Sequence, residues 1–98
     1  MPARTKLAGD ELRQRAEALP GWRAVDEHHL SRTFLFPDFK TALAFVNLVG
    51  EEAERQGHHP DIRFTWGRVE IETWTHDRGG ITECDFALAA AIDHLKGG

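Results

Sequence analysis

The chain has 98 residues, a length that fits one domain with a single modest hydrophobic core. Its formal net charge is −4 and it contains no run of Lys and Arg, which argues against a nucleic-acid binder. No stretch approaches the ~20 apolar residues of a membrane span, and one cysteine cannot form an intramolecular disulfide. We therefore expect a single cytoplasmic domain over residues 1–98, with no nucleic-acid or membrane partner and with a frayed first five residues.

The first half of the chain predicts a helix, two strands and a second helix. Asp10 is the expected N-cap of the first helix, and Pro20-Gly21 is its expected stop. Asp38 is expected to cap the second helix, and Gly57 is expected to end it. The predicted elements cover residues 9–19, 22–25, 29–36 and 38 to about 56.

The second half of the chain predicts a β-hairpin and a third helix. Apolar residues alternate along two strands, Gly67 marks the turn between them, and a helix follows from residue 82 to about residue 96. The residues expected to share a face are Ile62, Phe64 and Trp66 in one strand and Val69, Ile71 and Thr73 in the next. The order α-β-β-α-β-β-α predicts an α+β, two-layer domain with an antiparallel sheet and helices on one face. The edges of such a sheet favour a homo-oligomer.

Two adjacent histidines, His58 and His59, follow the predicted end of the second helix and precede Pro60. Pro60 fixes its own backbone and favours an extended conformation at His59, so the two imidazoles should point in different directions. Glu54 lies four residues before His58 and can orient it through a hydrogen bond. A His-His pair at a helix end is most often solvated surface, so this pair alone is weak support for a site.

A third histidine, His76, lies where the last predicted strand leaves the sheet. Gly79-Gly80 follows it, and glycines let a backbone or ligand approach closely. Asp77 can hold His76 or accept a hydrogen bond from a ligand N–H. Histidine exchanges protons near neutral pH, so three imidazoles suit a reaction that delivers one proton and removes another, such as dehydration. His28-His29, in a predicted turn with no second segment nearby, is interpreted as unrelated to this site.

Two other interpretations concern the same region. A zinc site made of His58, His59, His76 and an acid is disfavoured because adjacent histidines rarely ligate one ion well. Asp85 follows Thr82 at the spacing of a capping box, so capping the third helix is its main predicted role.

Short segments along nearly the whole chain carry a resemblance to a known family. They are Leu19-Pro20-Gly21-Trp22, Phe34-Leu35-Phe36-Pro37-Asp38-Phe39, Ala53-Glu54, His58-His59-Pro60-Asp61, Val69-Glu70-Ile71, Thr75-His76-Asp77, Gly79-Gly80-Ile81-Thr82, Asp85-Phe86-Ala87-Leu88-Ala89 and Ile92-Asp93. In this order and spacing they resemble the pterin-4a-carbinolamine dehydratase family. The resemblance implies a four-stranded antiparallel sheet with three helices, in agreement with the pattern of the sequence.

The resemblance also implies a reaction, the removal of water from a 4a-hydroxytetrahydropterin to give the quinonoid dihydropterin. The nitrogen next to C4a can expel the hydroxyl, so the leaving oxygen needs only a proton, and no metal or other cofactor is implied. The implied catalytic residues are His58, His59 and His76, supported by Glu54 and with Asp85 near the site. The expected substrate-binding residues are Gly57, Pro60, Asp61, Trp74, Thr75 and Asp77.

Two departures from the family pattern are Ile62, where many members carry an aromatic residue, and Trp66-Gly67, where many carry Asn. The first can loosen a wall of the pterin pocket, and the second can alter an edge used in assembly. The implied partners are the pterin substrate, a functional link to a phenylalanine hydroxylase, and further copies in a homodimer or homotetramer. The alternative function is a non-catalytic binding or assembly module, and the retained histidines favour the enzyme.

Overall fold

The computed structural model describes residues 2–97 and confirms the predicted order of helices and strands. It also contains a short 3₁₀ helix, His76–Arg78, after the last strand. The main elements are α1 (Gly9–Glu17), β1 (Arg23–Val25), β2 (His29–Leu35), α2 (Phe39–Gln56), β3 (Asp61–Thr65), β4 (Arg68–Thr73) and α3 (Glu83–Gly97). Within residues 2–97, no helix is long and apolar enough to cross a membrane.

The four strands form one antiparallel sheet in the order β1-β2-β4-β3, as the α+β prediction requires. Val69 lies at the centre of the sheet, paired with Phe34 of β2 and Phe64 of β3. Because side chains alternate along a strand, these residues share the face that packs against the helices. The opposite face of β4 carries Glu70 and Glu72 and is polar. The fully buried aliphatic residues include Leu30, Val49, Val69, Ile71, Ile81, Leu88 and Ile92.

The residues that cap the two ends of α2 are the predicted ones, whereas the residue that caps the start of α1 is not. The Asp38 carboxylate accepts a hydrogen bond from the Thr41 N–H at 2.8 Å, and Gly57 ends the helix in the left-handed conformation at φ 65°. Asp10 does not cap α1, because the helix begins one residue earlier and Ala8 occupies the cap position. The Asp10 side chain instead pairs with Arg13 one turn along the helix.

The turns of the two hairpins differ in the residues that occupy them. Asp26, Glu27 and His28 join β1 to β2. Asp26 and Glu27 have φ values of 54° and 55°, and the Val25 carbonyl accepts from the His28 N–H at 2.8 Å, as in a type I′ turn. Trp66 and Gly67 join β3 to β4. The prediction that Trp66 belongs to the strand face of Ile62 is wrong, because Thr65 pairs with Arg68 and leaves Trp66 in the turn, 65% exposed.

One half-buried polar contact ties β2 to α3. The Asp93 carboxylate accepts hydrogen bonds from the Trp22 indole N–H and from the Arg32 guanidinium, both at 2.8 Å. Arg32 lies on the helix-covered face of the sheet, and its guanidinium passes directly over Gly21. This contact fixes the C-terminal part of α3 against the sheet.

Candidate active site

Gly57 sends His58 and His59 in different directions at the end of α2. The left-handed turn brings the His58 N–H back to the Ala53 carbonyl at 3.1 Å, which closes the helix end. His58 Nε2 then lies 2.6 Å from Asp85 Oδ1, and His59 Nε2 lies 2.5 Å from Glu54 Oε2. The predicted pairing of Glu54 with His58 is therefore wrong, because His58 has left the helical repeat and no longer lies above Glu54.

Asp85 is a fully buried carboxylate that accepts four hydrogen bonds. Oδ1 accepts from His58 and from the Thr73 hydroxyl at 2.7 Å. Oδ2 accepts from the Thr75 hydroxyl and the Thr82 N–H, both at 2.9 Å. The bond to Thr82 confirms the predicted capping role, and the Thr82 hydroxyl completes the capping box by accepting from the Cys84 N–H at 3.1 Å. Asp85 therefore joins the cap of α3 to His58.

The protonation state of Asp85 determines which nitrogen of His58 carries a hydrogen. Burial raises the pKa of Asp85, but hydrogen bonds from His58, Thr73 and the Thr82 N–H outweigh it and hold that pKa below its ordinary value. The group is therefore a carboxylate at neutral pH and can only accept hydrogen bonds. His58 Nε2 must then be the donor, which leaves His58 Nδ1 as the atom that can take up or release a proton.

His76 and Trp74 form the opposite side of the site. His76 begins the 3₁₀ helix and is exposed, and its ring centre lies 4.6 Å from that of the half-buried Trp74. Thr75, expected to bind substrate, instead points the other way and is buried, with its hydroxyl bonded to Asp85 and Thr82. The turn is closed by a hydrogen bond of 2.8 Å from the Thr75 N–H to the Gly80 carbonyl.

A pocket of about 250 Å³ brings together residues from the helix end and from the strand exit. Most of the residues predicted for the site face it, and its lining consists of Arg4, Gly57, His58, His59, Trp74, His76 and Asp77. Pro60 and Asp61 do not reach this pocket, contrary to expectation. They line a separate cavity with Glu70 and Glu72, because Asp61 starts β3 and pairs with Glu72 across the sheet.

Arg4 also lines the pocket, although no pattern in the sequence points to it. Its guanidinium pairs with Asp77, and among residues 2–97 no hydrogen bond joins Asp77 to His76, one of the two roles expected for that carboxylate. The N-terminal segment is held beside the site by Leu7, which is 4% exposed and whose N–H bonds the Ile81 carbonyl at 2.8 Å. Arg4 belongs to the stretch expected to fray but lies beside the pocket, and the lone apolar Leu7 is the only signal for this in the sequence.

His28 and His29 pack against the same tryptophan as His76. Their ring centres lie 5.2 and 5.9 Å from that of Trp74, although neither residue lines the pocket. The interpretation that no second segment lies near this pair is therefore wrong, because β2 and β4 are neighbours in the sheet. Within the part of the chain that the structure describes, no three His, Cys, Asp or Glu side chains are grouped so as to hold a metal ion.

Comparison with known proteins identifies the family. The profile described as pterin 4 alpha carbinolamine dehydratase matches residues 5–95. The chain belongs to the pterin 4 alpha carbinolamine dehydratase family. A relative from Rubrobacter xylanophilus, which bears the dehydratase name provisionally, is 58% identical over 91% of this chain and 83% of its own length. A provisionally named dehydratase from Chlorobium limicola is 48% identical over 98% of this chain and 88% of its own length.

Solved structures of this family place the fold in proteins with different described roles. A transcriptional coactivator/pterin dehydratase from Brucella melitensis is 33% identical, has a TM-score of 0.88 and is matched over 93% of this chain and 98% of its own. A pterin dehydratase-like protein identified as a RuBisCO assembly factor in the alpha-carboxysome is 30% identical, with a TM-score of 0.61 over 71% of this chain and 81% of its own. Membership of the family therefore establishes the fold without deciding between catalysis and assembly.

Proposed function

We propose that the protein is a hydro-lyase that dehydrates a 4a-hydroxytetrahydropterin to the quinonoid dihydropterin. The observation that carries this proposal is the convergence of His58, His59 and His76 from two segments on one pocket. Two of the three imidazoles are held by carboxylates through a single ring nitrogen, which leaves the other nitrogen for proton exchange. A binding module has no evident need for imidazoles that are oriented in this way.

The reaction needs two proton transfers, and the pocket contains groups for both. As the bond between C4a and oxygen breaks, the lone pair of the neighbouring ring nitrogen forms the new double bond to C4a. A protonated imidazole gives its proton to the leaving oxygen, which departs as water. A second, neutral imidazole removes the proton from a ring N–H, so that the product is neutral and one water is lost. Asp85 and Glu54 hold the rings of His58 and His59 in place through these steps.

The substrate ring would lie against Trp74. Its indole is partly exposed on the wall of the pocket beside His76, and a flat pterin ring can stack on it. Gly57 lines the opposite part of the pocket without a side chain. This arrangement would place C4a between the two histidine segments, where acid and base act on different atoms of one ring.

The test is the rate of loss of the 4a-hydroxy adduct generated by a phenylalanine hydroxylase. The wild-type protein should accelerate this step, and His59→Ala or His76→Ala should lower the rate at least tenfold, since a positioned general acid or base contributes about 10²–10⁴-fold. His94→Ala, which removes an exposed imidazole on α3, is the matched control and should retain the wild-type rate. Full activity in both site variants would disprove the assigned roles.

A second candidate function is a binding or assembly module, favoured by exposed apolar side chains on α2 and by the described roles of the two solved relatives. Phe39 and Leu43, one turn apart on α2, are 48% and 39% exposed, and such a surface suits contact with another chain. We propose that this apolar surface of α2 joins copies of the chain into a homodimer or homotetramer. We also propose that the protein acts in the cytoplasm and has a functional link to a hydroxylase. Light scattering that finds only monomers would exclude the oligomer, and a stoichiometric protein partner with no dehydration would favour the assembly function.

A further inference from the structure

A cluster of cations lies next to the histidine pocket. A cavity of about 440 Å³ is lined by Arg4, Thr5, Lys6 and Arg78, and Arg4 also lines the histidine pocket, so the two cavities adjoin. Asp77 pairs with Arg4, whereas Lys6 and Arg78 have no carboxylate within ion-pair distance among residues 2–97. Three cations against one carboxylate make this a positive patch on a chain whose formal net charge is −4.

The backbone holds these cations together. The hydrocarbon chain of Lys6 lies on Gly80, where an added Cβ would be 2.6 Å from Lys6 Cε and would displace the lysine from this path. Arg78 ends the 3₁₀ helix, and Gly79 then reverses the chain at φ 65°. Like charges confined in this way repel one another, and a bound anion would relieve that repulsion.

The histidine pocket is small for a substituted pterin. At about 250 Å³ the pocket is smaller than the roughly 300–1,000 Å³ typical of small-molecule sites, so part of a substituted pterin must extend beyond it. Arg4 connects the pocket to the positive patch. Guanidinium groups match phosphate oxygens through paired hydrogen bonds, and an ammonium group adds a compact charge.

We propose that Arg4, Lys6 and Arg78 bind an anionic group on the side chain of the pterin, so that the preferred substrate is a phosphorylated pterin. This inference rests on the proposed function, because the ring must occupy the histidine pocket for its side chain to reach the patch. It deepens that function by naming the class of substrate.

Calorimetric titration with two stable ligands, 7,8-dihydroneopterin and its monophosphate, tests the inference. The monophosphate should bind at least tenfold more tightly in 50 mM salt, and this ratio should shrink in 500 mM salt because screening weakens exposed charge interactions. In the double variant Lys6→Gln/Arg78→Gln the ratio should fall below threefold. Arg13→Gln/Arg63→Gln removes the same charge from exposed sites on α1 and β3 and should retain the wild-type ratio.

The outcomes that overturn the inference are distinct from failure of the proposed function. Equal affinities of the wild-type protein for the two ligands, no measurable binding of the monophosphate, or a ratio that survives in Lys6→Gln/Arg78→Gln would each overturn it. If the affinity ratio fell equally in Arg13→Gln/Arg63→Gln, the preference for the monophosphate would come from the overall charge of the protein and not from the patch. Inorganic phosphate that binds without competing with the monophosphate would indicate an anion site unrelated to pterin. Absence of dehydration despite a tenfold binding ratio would instead refute the proposed function alone.

Discussion

Replacing Asp85 by Asn should disturb both the cap of α3 and the proposed active site. The change preserves shape but converts one acceptor oxygen into an N–H donor. The Thr82 N–H can only donate, so the remaining oxygen must face Thr82, and the new amide group must face His58. His58 Nε2 would then have to accept, which moves the imidazole hydrogen to Nδ1 and removes the lone pair available to the substrate.

The contacts of Asp85 give the size of the expected effects. A hydrogen bond to a charged group contributes about 1.5–3 kcal/mol, and leaving a buried group unsatisfied costs a similar amount. With four such bonds weakened or rearranged, the free energy of unfolding should fall by about 3 kcal/mol. For a domain of this length that lowers Tm by roughly 12–24 °C. Loss of the required tautomer should lower the dehydration rate by about 100-fold or more.

Urea unfolding followed by circular dichroism measures the first effect, and the dehydration rate at a temperature where the variant is folded measures the second. Asp93→Asn is the matched control on the same helix, since it removes a carboxylate held by Trp22 and Arg32. It should lower stability while leaving the rate within twofold of wild type. An Asp85→Asn protein that loses stability but keeps its full rate would refute the tautomer argument and reduce Asp85 to a helix cap.

Three further predictions concern stability. Because the pKa of Asp85 is lowered in the folded protein, its contribution is present above about pH 4 and is lost as the pH falls through the folded value. Wild-type stability should therefore drop more steeply in acid than that of Asp85→Asn, and parallel urea midpoints below pH 4 would contradict this. Asp26→Asn/Glu27→Gly, the residues that a type I′ turn prefers, should raise the free energy of unfolding by about 1 kcal/mol in urea titrations, and a decrease would show that other contacts dominate. Leu88→Ala, at a fully buried position, should lower it by about 2–5 kcal/mol in thermal unfolding, and a smaller loss would mean that the core closes around the cavity.

The features that the sequence predicted well are those set by nearby residues. Asp38 caps α2 because its carboxylate reaches a backbone N–H three residues along, and Gly57 ends the helix because it adopts a positive φ easily. Apolar residues alternate along β4 because only one face of the strand is buried. For both ends of α2 the deciding contact spans only a few residues.

The errors arise where a distant contact or a small change in backbone direction decides the outcome. Glu54 binds His59 because the turn at Gly57 breaks the helical spacing on which the prediction depended. The role of Thr73 as a donor to Asp85 depends on how β4 meets α3, and Arg4 reaches the pocket through a chain segment without regular structure. Neither arrangement leaves a periodic pattern in the sequence.

Because Asp85 both caps α3 and bonds His58, the orientation of His58 depends on whether the first turn of α3 is folded. Helix ends open locally far more often than whole domains unfold. Each opening of the first turn of α3 would release the Thr82 amide to solvent and, in the same event, free His58 from the carboxylate that sets its hydrogen. The exchange rate of the Thr82 amide with deuterium should therefore report the fraction of time for which His58 is hydrogen-bonded to Asp85, even in a protein with no ligand bound.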